Sequence, residues 1–383
     1  MSEIRTYHVI TGSKAFFDET VMQVFAGYGE AIEDCDIKTF LQQVKLSDER
    51  KNNKDTFSDE DKAFLMILKN DNYHGIVESA HDRLGSLIEE VTHEQAIICL
   101  HNPPTVLLDY LKDQHLRELI SMSEYKEKYN MVRKPEEFSR SMQAISRQIW
   151  GQNEAILQTS KSMWYLTSVN RKKPYVIMLF GGSSLGKTEL VRQVAEEFYY
   201  RKALEKHLSM FKNDTYSYYF FGNHPNRRSL GFDLLERESN LIFLDEIDKC
   251  PEHFYSAFYT LFDNTIFNDA TYEVDISGLL IMLTSNYSNM DEMKEKLGLP
   301  IFYRIDKFIH FEPFSEQTIY TITRNEINEN IKAYGVQLDA EDIYSGVSKV
   351  IQTKGENART IKNKVQSVIE DKLFEKVEQS NTY

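Results

Sequence analysis

Short apolar runs recur through the second half of the chain and alternate with stretches of helical period. Residues 175–180 (YVIMLF), 216–221 (YSYYFF), 241–244 (LIFL), 279–283 (LLIML) and 308–311 (FIHF) read as strands. Runs of that length with little polar interruption suit strands buried on both faces. Between them apolar residues fall three and four apart, as at Phe138, Met142, Ile145 and Ile149, so an α/β sheet is expected. From Ser315, which has the character of an N-cap, the chain turns helical, with Gly335 and Gly355 as breaks between helices.

The first part of the chain has a mixed α/β pattern. Residues 5–11 (RTYHVIT) read as a strand and 14–26 as an amphipathic helix. The polar stretch 47–61 reads as an exposed loop, followed by a helix capped at Ser58 that buries Ala63, Phe64, Met66 and Ile67. Residues 95–100 (QAIICL) form a buried strand, Asn102-Pro103-Pro104 breaks it, and a helix follows around 105–112. A boundary near Pro135 and the helical start at Ser315 divide the chain into three domains. These are a small mixed α/β domain at 1–136, a large α/β domain at 137–314 and a helical domain at 315–383.

Composition narrows the partners. The 383 residues are 41% hydrophobic and 27% charged, with a formal net charge of −14. Residues 1–136 hold sixteen basic and twenty-five acidic side chains, so nine of those negative charges lie there. Such a balance opposes wholesale nucleic-acid binding but leaves room for a local basic patch. No apolar run reaches the roughly 18 residues of a membrane helix, so no membrane association is expected. The start, MSEIRTYHVI, has no basic segment followed by an apolar core, so no export signal is expected. Cys35, Cys99 and Cys250 are odd in number and far apart, which suits a reducing, cytoplasmic compartment. His8, His74, His81, His93 and His101 are irregularly spaced and read as scattered core and surface residues, not as a metal site.

The strongest chemical signal is Gly181-Gly182-Ser183-Ser184-Leu185-Gly186-Lys187-Thr188, a G-x-x-x-x-G-K-[ST] sequence between a strand and a helix. Its glycines let backbone N–H groups turn around phosphate, and the helix N-terminus adds a favourable dipole. In such a loop Lys187 reaches the β- and γ-phosphates of ATP, and the Thr188 hydroxyl ligates Mg²⁺. The apolar strand 241–244 then ends in Asp245-Glu246. There Asp245 can hold the metal shell, and Glu246 can polarise the attacking water.

In this order and spacing the motifs resemble the AAA+ ATPases, and more narrowly the Clp/heat-shock unfoldase branch, from about residue 140 to 375. Ile149-Trp150-Gly151-Gln152 with Ala155 resembles the adenine-pocket box. Leu244-Asp245-Glu246-Ile247-Asp248-Lys249 is similar to the Walker B signature. Asn268–Asp275 fits the hairpin before sensor 1, and Leu283-Thr284-Ser285-Asn286 resembles sensor 1 itself. Arg304-Ile305-Asp306 is similar to the arginine-finger segment, and Gly355 with Ala358-Arg359 resembles sensor 2 of the lid. The resemblance implies a P-loop AAA+ parallel sheet with a helical lid, Mg²⁺-dependent ATP hydrolysis and a homo-oligomeric ring, with six subunits expected. It assigns Asn286 to orienting the lytic water and Arg359 to the phosphates of its own subunit. Arg304 is assigned to a neighbour's γ-phosphate, with an intramolecular pair to Asp306 as the structural alternative. Specificity for a protein partner is expected in residues 1–136.

Two departures bear on mechanism. The unfoldases carry an aromatic pore loop, whereas residues 222–232 here read GNHPNRRSLGF, shorter and without that motif. The loop puts polypeptide threading in doubt, and Arg227-Arg228 raises nucleic acid as a lower-ranked partner. Leu297-Gly298-Leu299 resembles a protease-docking tripeptide but reads as a helix end marked by Gly298.

Overall fold

The computed structural model describes residues 4–32, 35–52, 58–129, 135–200, 202–213, 216–334 and 338–380. It contains two five-stranded, fully parallel sheets. The first is built by β1 (Thr6–Thr11), α1 (Lys14–Tyr28), β2 (Ile37–Thr39), α2 (Phe40–Asn52), β3 (Ala63–Leu68), α3 (Leu84–Val91), β4 (Thr92–His101), α4 (Thr105–Leu116) and β5 (Ser121–Lys126). Its order is β2-β3-β4-β1-β5. Separate apolar cores cover its two faces, one around Tyr7, Met66 and Ile98 and one around Phe17, Leu65 and Cys99.

Next come α5 (Pro135–Gln148), α6 (Asn153–Ser168), β6 (Tyr175–Gly181), α7 (Lys187–Tyr199), β7 (Leu204–His207), α8 (Ser217–Phe221) and α9 (Leu230–Leu235). The second sheet is completed through β8 (Leu241–Asp245), α10 (Tyr255–Asp263), the hairpin of β9 (Ile266–Asn268) and β10 (Glu273–Asp275), β11 (Leu280–Ser285), α11 (Met290–Phe302) and β12 (Lys307–Phe311). Its order is β12-β6-β11-β8-β7, which places β6 and β11 side by side in the middle. The chain ends in α12 (Glu316–Tyr334), α13 (Ala340–Ser348) and α14 (Ala358–Ser380), whose Ile327, Ile343 and Ile361 join the core on one face of this sheet.

Three expectations are corrected. The run 63–68 is strand β3, because both faces of its sheet are covered and an unbroken apolar run satisfies both. Ser58 caps only a 3₁₀ turn, its N–H donating to the Asp61 carboxylate at 3.0 Å. The polar stretch after residue 46 continues α2 through Asn52 instead of opening a loop, and residues 53–57 lie outside the described ones. Residues 217–221 form α8, which buries Tyr219 and Phe220, and the strand beside β8 is the polar, half-exposed β7. Gly335 lies outside the described residues. Ser315 does cap α12, its Oγ accepting the Thr318 N–H at 3.2 Å.

The N-terminal unit docks on the segment before β8 and on the turn of the β9–β10 hairpin. Asn70 Nδ2 donates to Glu236 Oε1 at 2.8 Å, and Thr105 N–H donates to the Thr271 carbonyl at 2.9 Å. The His74 ring lies 4.7 Å from that of Phe232, which is 1% exposed. Asp269 ties the loop to the hairpin by accepting from Ser229 Oγ and Gly231 N–H on one side and from Thr271 and Tyr272 N–H on the other.

Candidate nucleotide site

Strand β6 delivers the glycine-rich turn to the C-terminal edge of its sheet, where ligands of open parallel sheets bind. Gly181 has φ +133°, and a Cβ there would stand 2.4 Å from the Phe311 carbonyl oxygen, so β12 can approach only a glycine. Helix α7 then starts at Lys187, which is 6% exposed. Its Nζ donates to the carbonyls of Gly181 at 2.8 Å and Gly182 at 2.6 Å, and to Asn286 Oδ1 at 3.2 Å. Burial lowers its pKa to about 8, against the opposing pull of Asp248, Asp245 and Glu246.

The neighbouring strands supply the acids. Asp245 ends β8, and its Oδ1 accepts from Thr284 Oγ1 and lies 3.4 Å from Thr188 Oγ1. Its Oδ2 faces His207 Nδ1 at 3.2 Å, from the end of β7. Glu246 sits in the left-handed region at φ 58°, a backbone state that costs a non-glycine residue about 1–3 kcal/mol and concentrates at functional sites. The Glu246 N–H is held by Thr284 Oγ1 at 3.0 Å. Asn286 follows β11, its N–H donating to Asp248 Oδ1 at 3.2 Å.

These groups share one cleft of about 420 Å³, in which Lys187, Thr188, Asp245, Glu246 and Asn286 meet Arg359 from the C-terminal helices. The C-terminal helical part reaches the turn directly, as Ala358 N–H donates to the Ser184 carbonyl at 3.1 Å. Ser183, Ser184 and Gly186 also line the cleft, whereas Leu185 is buried in the core below it. Gly181 and Gly182 contribute the carbonyls that hold Lys187. The hydroxyl of Thr188 and the carboxylate of Asp245 are hard oxygen donors, which suits Mg²⁺ with phosphate oxygens and water completing its shell. No group of three or more His, Cys, Asp or Glu arranged for a metal occurs among the described residues.

Two sets of expected site residues lie outside the cleft. Gly151 and Gln152 sit where β12 meets α12, and Gln152 clasps Glu312, donating to its carbonyl at 2.9 Å and accepting its N–H at 3.1 Å. Arg304 donates to the Pro300 carbonyl at 2.7 Å, pairs with Asp263 at 3.0 Å and stacks on Tyr259. Asp306, the intramolecular partner considered above, pairs with Arg171 at 2.7 Å. Gly298 breaks α11 at φ 73° and leaves Leu297 buried, consistent with a helix end. His207 was not singled out in the sequence, where a lone histidine in a polar stretch carries no motif.

A Walker-type turn at the first strand, acids at the third and an asparagine at the fourth are the pattern of a P-loop fold of the AAA+ type, with a helical C-terminal part. Residues 177–313 match the family described as "ATPase family associated with various cellular activities (AAA)". The chain is 25% identical over 245 residues to the mitochondrial disaggregases of Bos taurus, Rattus norvegicus and Homo sapiens, an overlap covering 58% of this chain. It spans about a third of the length of those relatives. These similarities support an AAA+ ATPase of the Clp-like branch. Among the described residues no helix is long and apolar enough to cross a membrane.

Proposed function

We propose that this protein hydrolyses Mg-ATP as a ring-forming remodeller of a protein partner, in a cytoplasmic setting. The observation that carries this reading is the convergence of Lys187, Thr188, Asp245, Glu246, Asn286 and Arg359 on one cleft between sheet and lid. Water attacks the γ-phosphate in line, Glu246 takes its proton and Asn286 orients it. Lys187, Arg359 and a neighbour's Arg304 offset the developing charge. A bound Mg²⁺, held by Thr188 and Asp245, would neutralise phosphate charge. Residues 1–136 form the partner domain, 137–314 the ATPase domain and 315–383 the lid.

Glu246→Gln should bind ATP as wild type does and turn it over at least a hundredfold more slowly. Wild-type turnover in that variant removes the role. Arg304→Ala should keep ATP affinity and lose about 10³-fold or more in turnover under ring-forming conditions, the scale of an arginine finger. Unchanged turnover at every protein concentration removes the ring-linked role.

A second reading, a switch that threads nothing, is favoured by the docking of residues 222–232. Phe232 is buried against His74, Arg228 engages the buried Asp233, and Arg227 stacks 5.0 Å over Tyr218. Both arginines therefore lie against their own chain, which weakens the motive for a nucleic-acid partner. ATP-dependent unfolding of a tagged fluorescent protein would overturn the switch reading.

A further inference from the structure

The two sheets of the chain share a strand order. Counted from the start of each unit, both run second, third, fourth, first, fifth, with every neighbour parallel. In both, the first strand leads through a glycine turn into a helix. An asparagine immediately after the fourth strand also reaches that turn in both. Asn286 Oδ1 meets Lys187 Nζ at 3.2 Å, and Asn102 Oδ1 accepts the Gly12 N–H at 2.9 Å while its Nδ2 donates to the Gly12 carbonyl at 2.9 Å.

The units part company where nucleotide chemistry requires specific groups. Residues 182–186 separate β6 from α7, but only Gly12 and Ser13 separate β1 from α1. So short a turn cannot wrap successive N–H groups around a phosphate. The third strand of the ATPase sheet ends in Asp245, whereas Leu68 ends β3 and is followed by Lys69, whose Nζ pairs with Asp18 at 2.9 Å. The start of α1 already faces an anion, because Ser13 N–H donates to Glu127 Oε2 at 2.6 Å. A Cβ on Gly12 would meet the Glu127 side chain within 2.7 Å, so that carboxylate occupies the space over the turn.

We propose that the N-terminal unit is a second copy of the ATPase-type sheet, closed to nucleotide by its own Glu127, which takes the place of a phosphate at the start of α1. Each chain then holds one nucleotide, at Lys187. This rests on the ATP reading above.

Calorimetric titration of the full chain with a non-hydrolysable ATP analogue tests the stoichiometry. One site per chain in wild type and none in Lys187→Ala is expected. Two sites, or a site that survives in Lys187→Ala, overturns the inference, whereas no site in wild type overturns the ATP reading instead. A second measurement addresses Glu127 directly in the Lys187→Ala background. Glu127→Ala should lower Tm, and inorganic phosphate should restore at least half of that loss relative to chloride at matched ionic strength, without shifting Lys187→Ala alone. No loss of Tm, or an equal phosphate effect on both proteins, removes Glu127 from the anion's place.

Discussion

Lys187 is a buried cation whose donors all point at oxygens of its own chain, two carbonyls and an amide. Phosphate oxygens can replace those partners and bring negative charge, so binding should favour the protonated amine. With its pKa lowered to about 8 by burial, the free protein has given up half of this proton at that pH and most of it a unit higher. ATP binding above pH 8 should therefore take up a proton and weaken as pH rises, while affinity near pH 7 stays flat. Titrations in buffers of different ionisation enthalpy read that uptake. The same shift works on stability in the opposite sense. Between about pH 8 and the unfolded lysine's value near 10.4 the unfolded chain holds the extra proton, so this group's contribution to stability rises with pH. Residue-scale chemistry was legible wherever it was local, because a Walker turn packs its glycines, lysine and threonine into eight positions. His207 was not legible, since its contact with Asp245 exists only once β7 lies beside β8.

At the scale of elements, the clasp between Gln152 and Glu312 joins the start of α6 to the segment leading from β12 into α12. Gln152 is 2% exposed, so its removal leaves two half-buried backbone groups without partners. Gln152→Ala should cost about 2–3 kcal/mol, from two lost hydrogen bonds of about 1–1.5 kcal/mol each. Denaturant unfolding measures that loss, and ATP affinity should fall with it as the C-terminal helices that carry Arg359 lose this anchor. The strands β6, β8, β11 and β12 were legible because burial on both faces leaves a continuous apolar signature. β7 was not, because LEKH at a sheet edge is as polar as a loop. The aromatic run at 217–221 carries no helical period of its own, and its helix follows from tertiary packing of Tyr219 and Phe220. The run at 63–68 shows the converse limit, since a short apolar run cannot distinguish strand from buried helix.

Across the whole molecule, the N-terminal unit covers the segment that in the resembled unfoldases lines a pore. Glu236 is central to that contact, accepting from Asn70 and lying 3.7 Å from His101 Nδ1. Glu236→Ala should loosen the docking and raise hydrogen exchange across residues 222–232 several-fold, leaving exchange in α7 unchanged. Equal exchange in both proteins would separate Glu236 from the docking. The shared strand order of the two sheets was not legible, because it is a property of pairings between distant segments, and Gly12-Ser13-Lys14 alone is too short to mark a phosphate turn. The bonds of Asp269 have a mechanical consequence. By gripping Ser229, Gly231, Thr271 and Tyr272 at once, one carboxylate welds the covered loop to the hairpin that feeds directly into β11. The same hairpin also receives the Thr105 N–H on the Thr271 carbonyl at 2.9 Å, so the covered loop, the approach to β11 and the first half of the chain are tied together at one corner.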